Sequence, residues 1–280
     1  SGTDFSTHPH SHEFNELVVI FSGTSVHVTE MGEYPVRAGD VFVIMAGEVH
    51  GYRDSRDLAL ANVLYTPEAL RGELEDIRGL SGYHALFTLE PHHRHLHQLQ
   101  SCLSLDTAQL AAARHLVERL TQEIWADRPG CRFMARVLFL ELVGFLARAY
   151  TDSKRDTTRP LLRLGAVMGL MERHFDRTTS LEELAREANM SKSTLLRTFR
   201  KVLGVTPIEY LLRLRIEQAC NLLRDTDWTV GTVARRTGFS DSNYFARQFR
   251  RLRGMAPTAW RARAVPPEGA SPRRKKNFAS

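Results

Sequence analysis

The chain has 280 residues, 42% hydrophobic and 25% charged, which suits a globular protein of two domains, each with its own core. It has no apolar run of about 18 residues and no secretory pattern at its start, which argues against a membrane-spanning helix and for a cytoplasmic protein. Its net charge of +6 is unevenly placed: residues 1–150 hold 12 Lys and Arg against 19 Asp and Glu, whereas residues 161–263 hold 19 against 10.

An acidic half beside a basic half points to a polyanion as the partner of the second half alone, although a merely solvated basic face would give the same count. Cys102, Cys131 and Cys220 are dispersed without a C-x-x-C pair, as expected of reduced thiols. In chain order, residues 17–21, 25–28, 41–44 and 59–65 are rich in β-branched and aromatic residues and predict short strands. Gly23, Gly32, Ala38-Gly39-Asp40 and Gly47 predict the turns between them. Short strands at even spacing indicate a small antiparallel barrel or jelly roll.

One polar constellation lies in this part. His10-x-His12-x-x-x-Glu16 is followed after six residues by Gly23, and Gly39 is followed by Met45-Ala46-Gly47-Glu48-Val49-His50. Side-chain alternation puts His10 and His12 on one face of a strand. The spacing resembles the two signature motifs of the cupin superfamily, with departures at Met45, Asp54 and Ser6 from the usual proline, asparagine and opening glycine. The resemblance implies that His10, His12, Glu16 and His50 fall on metal-ligand positions, and three imidazoles with a carboxylate suit a divalent transition metal. The same residues suit a metal-free effector pocket, joined by Tyr52 and Tyr65, or a structural hydrogen-bond network inside the barrel, so a resident cofactor is not required.

Residues 68–106 are irregular. Pro67-Glu68-Ala69-Leu70 has the look of a helix start, Tyr83–Phe87 of a packing segment, and the run His92, His93, His95, His97 of an exposed loop rather than a metal site. From Asp106, Leu110, Ala113, Leu116, Val117, Leu120 and Ile124 recur at helical spacing, with Asp106 or Thr107 as cap and Pro129-Gly130 as breaker. A second helix over 132–150 is apolar nearly all round, more than one barrel face requires, which predicts a dimer contact through the pair at 106–150. Residues 151–160 lose periodicity and predict a linker; the tail 264–280, with Arg273-Arg274-Lys275-Lys276, predicts disorder.

Between them, in a domain at 161–263, residues 180–261 carry one helix-turn-helix pattern twice. Ala185 to Ala234 is a step of 49, and Phe199 to Phe249, Gly204 to Gly254 and Pro207 to Pro257 are steps of 50. Ser180, with Glu183 three residues on, predicts a capping box. Ser191 and Ser240 are the expected caps of two reading helices, which expose Ser193, Leu196, Arg197 and Arg200 in the first and Asp241, Ser242, Asn243 and Arg247 in the second. A capped helix with a polar, basic outer face is what insertion into the major groove of double-stranded DNA requires. Arg250, Arg251 and Arg253 suit phosphate contact.

These segments, Leu184-Ala185, Met190-Ser191, Gly238-Phe239-Ser240-Asp241, Tyr244-Phe245 and Gly254-x-x-Pro257-x-x-Trp260-Arg261 among them, resemble the DNA-binding domain of the AraC/XylS family of transcription regulators. His10-x-His12-x-Phe14-x-Glu16-Leu17 and the stretch Leu58–Tyr65 resemble that family's sugar-sensing, rhamnose-type members. The resemblance implies an α+β chain: a cupin-like sensor (1–105), the helical pair, the linker and twin DNA readers. It also implies a ligand-responsive, homodimeric activator that works with promoter DNA, a sugar effector and RNA polymerase. The competing readings are a metal-dependent cupin enzyme and a metal-responsive regulator.

Overall fold

The computed structural model describes residues 7–66, 75–91, 103–153 and 159–264. The helix start at Pro67, the histidines at 92–97, Cys102 and the tail from residue 265 lie outside the described residues. Among the described residues, six strands form one antiparallel sheet: β1 (Thr7–His10), β2 (Asn15–Thr29), β3 (Gly32–Arg37), β4 (Asp40–Ile44), β5 (His50–Tyr65) and β6 (Leu103–Ser104). Their order is β1-β5-β2-β4-β6, with β3 also paired to β2.

The two strands expected at 17–21 and 25–28 are one continuous β2. Gly23 is not a turn but part of an irregularity within the strand, where the register against β5 slips between Ile20 and Val26. Its φ is +74°, and a Cβ there would lie 2.2 Å from the Arg56 carbonyl oxygen. The first half of β2 pairs with β4 and the second with β3, while β5 follows its whole length. The sheet rolls over on itself, so that His27 in the second half lies 5.0 Å, ring to ring, from Phe42 of β4. Val18, Ile20, Val36, Phe42, Ile44 and Tyr52 fill the inside of the roll. The alternate residues Leu17, Val19, Val41 and Val43 are equally buried on the other face.

That outer face carries the helical elements of the sensor. α1 (Glu75–Arg78) and α2 (Ser81–His84) lead into a π-helical turn at Ala85–Leu89, which packs on β4. α3 (Thr107–Ala126) begins in a capping box between Asp106 and Gln109 and packs along α4 (Cys131–Thr151) as a hairpin. The base of α4 is buried through Leu138, Leu142, Val143, Leu146 and Tyr150, but the hairpin tip leaves Trp125 83% and Phe133 69% exposed, with Ile124, Met134 and Val137.

The basic half is helical: α5 (Arg159–Arg173), α6 (Leu181–Glu187), α7 (Lys192–Leu203), α8 (Pro207–Asp225), α9 (Val230–Arg236), α10 (Ser242–Arg253) and α11 (Pro257–Ala264). By their contacts the elements form two compact units. One runs to Arg173 and adds Ser180–Pro207; the other comprises His174–Thr179 and the chain from Ile208. Helix α5, assigned by sequence to the DNA-reading half, therefore groups with the sensor. The second unit has its own core of Ile216, Ala219, Leu223, Val233, Phe245 and Phe249.

Candidate functional site

Rolling the sheet brings together residues far apart in register. Glu16 pairs with Leu64 at one end of β5, whereas His50 pairs with Thr29 and His10 at the other. Even so, the Glu16 carboxylate lies 2.8 Å from Nε2 of His12 and 3.6 Å from Nε2 of His50. Both Glu16 and His50 are almost fully buried. The His12 Nδ1–H donates to the Phe14 carbonyl at 2.7 Å, and the His50 Nδ1–H to the Glu48 carbonyl at 3.2 Å.

Carbonyls only accept, so each Nδ1 carries a proton and each Nε2 is turned on Glu16. There it serves either as the second donor of an imidazolium or as a lone pair for a cation. Burial pushes the Glu16 carboxyl up, but the hydrogen bonds with His50 and His12 outweigh it and hold the group below its ordinary value. Burial pushes His50 down, and its bond to Glu16 reverses this and raises it. The second oxygen of Glu16, Oε1, is buried and has no hydrogen-bond partner among the described residues.

Not every expected residue belongs to this cluster. His10 stays exposed at the rim: its ring lies 4.5 Å from that of His50, its Nδ1 bonds the His8 carbonyl, and the close ligand set is His12, Glu16 and His50. Tyr52 lines the inside of the roll beside His27, 5.2 Å away. Tyr65 does not reach the pocket. It pairs with Asn15, one step out of phase with Glu16, and its ring packs on Phe139 of α4 at 5.2 Å, where burial pushes its phenol up. His27 was missed by the motif reading. Its signal was alternation, since it falls two residues after the inward Ser25.

The two readers match atom for atom at their turns. The Met190 N–H donates to the Ala185 carbonyl at 2.9 Å, and the Phe239 N–H to the Ala234 carbonyl at 3.0 Å. Asn189 and Gly238 sit at the same place with φ of 49° and 82°. Ser180 accepts from the Glu183 N–H, and Ser191 caps α7 by accepting from the Thr194 N–H. The cap of α10 is not Ser240 but Asp241, whose carboxylate accepts from the N–H groups of Asn243 at 2.7 Å and Tyr244 at 3.2 Å. A carboxylate suits the positive end of a helix better than a hydroxyl does. Asp241 thus holds the helix that presents the other readers.

Leu195 and Phe199, and Phe245 and Phe249, are wholly buried, which fixes the opposite faces outward. Ser193, Arg197 and Arg200, and Ser242, Asn243, Arg247 and Arg250, are exposed, and Leu196 is half-buried. The Arg247 guanidinium lies 5.9 Å from the Tyr244 ring, and Ser193 meets Ser191 at 3.1 Å. Arg253 is half-buried against Trp260, 5.8 Å from its ring, and is engaged with protein rather than free for phosphate.

A family model described as an AraC-like ligand binding domain matches residues 1–127, and one described as a helix-turn-helix domain matches residues 184–263. The HTH-type transcriptional activator RhaR of Escherichia coli (strain K12) is 31% identical over 253 residues, covering 90% of this chain and 86% of its own length. RhaR of Enterobacter sp. (strain 638) is 32% identical over 256 residues, with coverage of 91% and 87%. Among solved structures, the DNA-binding domain of AdpA in complex with a target DNA is 37% identical, covers 38% of this chain and 98% of its own, and has a TM-score of 0.36.

Proposed function

This chain belongs to the AraC/XylS family of transcription regulators, and from that premise we propose that it is a sugar-responsive, homodimeric activator of a catabolic promoter. It is a regulator with a ligand-binding and a DNA-binding half, not an enzyme. The effector is a small polyol of the rhamnose type, bound inside the rolled sheet. The observation that carries this reading is the His12–Glu16–His50 cluster, set in a buried interior that also holds Ser25, His27 and Tyr52, with a buried carboxylate oxygen left for a hydroxyl donor. His10 and Tyr52 complete the wall. The exposed apolar tip of the α3–α4 hairpin is the dimer contact, its size and aromatic content favouring burial against a second copy. The bound dimer works in the cytoplasm and recruits RNA polymerase, a role that follows from activation.

A second reading is favoured by the fixed Nδ1–H groups. His12, Glu16 and His50 turn one ligand atom each toward a common point, all within 4.8 Å of one another, with the imidazoles anchored by carbonyls as metal-bound histidines are. A divalent transition metal held there would supply a positive centre for effector hydroxyls.

Titrating L-rhamnose, a panel of other sugars, and zinc or manganese separately against the full chain divides these readings. A ligand of the folded state raises the melting temperature. A sugar that does so without metal, and shifts promoter affinity, supports the first reading. Melting that responds to metal alone supports the second. Indifference to every sugar, with or without metal, defeats the sugar reading.

A further inference from the structure

Helix interiors seldom tolerate glycine, which costs roughly 1 kcal/mol against alanine. Yet α5, with sequence Arg-Pro-Leu-Leu-Arg-Leu-Gly-Ala-Val-Met-Gly-Leu-Met-Glu-Arg, carries two, four residues apart on one face. A Cβ at Gly165 would lie 2.2 Å from the Ser81 carbonyl oxygen, and one at Gly169 would lie 2.8 Å from that of Gly79. The backbone of the sensor segment 79–81 thus lies directly on the first helix of the DNA-reading half.

The other side of that segment is as close to the sensor. A Cβ at Gly82 would lie 2.1 Å from the Ala147 carbonyl oxygen of α4, and the Gly82 N–H donates to Thr151 Oγ1 at 3.1 Å. Polar clasps close the seam. Arg173 donates to the Gly79 carbonyl, Arg78 pairs with Glu172 at 3.7 Å, and the buried His84 donates from Nε2 to the Arg78 carbonyl at 2.8 Å. Beneath them Leu164, Val167, Met168 and Met171 of α5 are wholly buried.

We propose that the segment Arg78–His84 is the relay between effector site and first reader, a backbone wedge held between α4 and the glycine face of α5. The proposal rests on the ligand-responsive reading above and names its route. β4 turns Phe42 and Ile44 into the roll, with Ile44 opposite Glu16, and turns Val41 and Val43 outward; the π-helical turn packed on β4 continues directly from α2. From there the wedge meets α5, α5 packs on α6, and α6 on α7, which carries Arg197. Each joint is a close-packed contact, so a shift of β4 on effector binding is passed on rather than absorbed.

Amide exchange on the full chain tests the seam, comparing the wild type with Gly165→Ala and with the double variant Glu172→Gln/Arg173→Gln. The double variant removes the Arg173 and Glu172 clasps without adding an atom and leaves the His84 bond in place. The expected result is a loss of protection of about tenfold or more in both α2 and α7, with α10 unchanged. Loss in α2 while α7 keeps wild-type protection would overturn the proposal. With L-rhamnose as the probe, the double variant should retain the sugar-induced rise in melting temperature but lose most of the sugar-induced change in promoter affinity. A double variant that keeps the full change would also overturn it. A wild type blind to rhamnose in both assays counts against the effector assigned above, and the exchange comparison then decides the seam alone.

Discussion

Arg197 and Arg247 point outward because of the phenylalanines two residues further on. Phe199 and Phe249 have no exposed surface, and a helical step of two residues turns a side chain to nearly the opposite face. A guanidinium so presented can bond guanine through two donors, whereas an exposed Arg200 or Arg250 one turn along suits phosphate. Asp241 is the residue at which sequence reasoning and structure part. Its polar type and position matched a base reader, but helix geometry makes it the cap. Asp241→Ala should lower the stability of the second unit by about 1 kcal/mol and weaken binding to all DNA sequences alike. Asp241→Ser should recover most of the loss. A variant that instead changes preference at one base pair would return Asp241 to the readers.

At the scale of elements, the readers were largely legible in the sequence because their signals are local: caps, left-handed turns, buried aromatics at helical spacing and the 50-residue step. The sensor was legible as strands and, through the spacing of its polar residues, in the cluster of His12, Glu16 and His50. Tyr65 fell outside it because a single register step decides which face a strand residue serves, and nothing local marks that step. The packing of helix α5 on the sensor was not legible because its glycines signal only when their long-range partner at 79–81 is known.

The wedge also carries a pH signature. Burial pushes His84 down to about 3, from an ordinary 6.5. The unfolded chain therefore binds a proton between these values that the folded chain refuses. Stability is unaffected above pH 6.5 and falls as the pH drops below it, by about 1.4 kcal/mol per pH unit at most. Denaturant titrations from pH 7 to 5 should show this slope, and His84→Gln, which can keep a donor to the Arg78 carbonyl, should flatten it. An unchanged slope would mean that His84 titrates in the folded state.

For the whole molecule, the opposite charges of the two halves confine polyanion contact to the basic one. Promoter affinity should accordingly fall steeply with salt, and Arg250→Ala should reduce the salt slope by about one. The proposed dimer contact at the exposed hairpin tip is tested at this scale. Trp125→Asp with Phe133→Asp, at positions already in solvent, should leave folding intact and convert a sedimenting dimer to a monomer. A wild-type chain that sediments as a monomer at micromolar concentration would remove the tip from the account.

The central claim is that two like helices, α7 and α10, each read bases through one outward arginine. The most direct measurement is binding of the full chain, at fixed salt, to duplexes selected by it from a random pool, and to all single-base changes of them. Arg197→Ala and Arg247→Ala should each cost about 1–3 kcal/mol and abolish discrimination at one position, a different one for each variant. Variants that bind with wild-type affinity and unaltered preference at every position would contradict it.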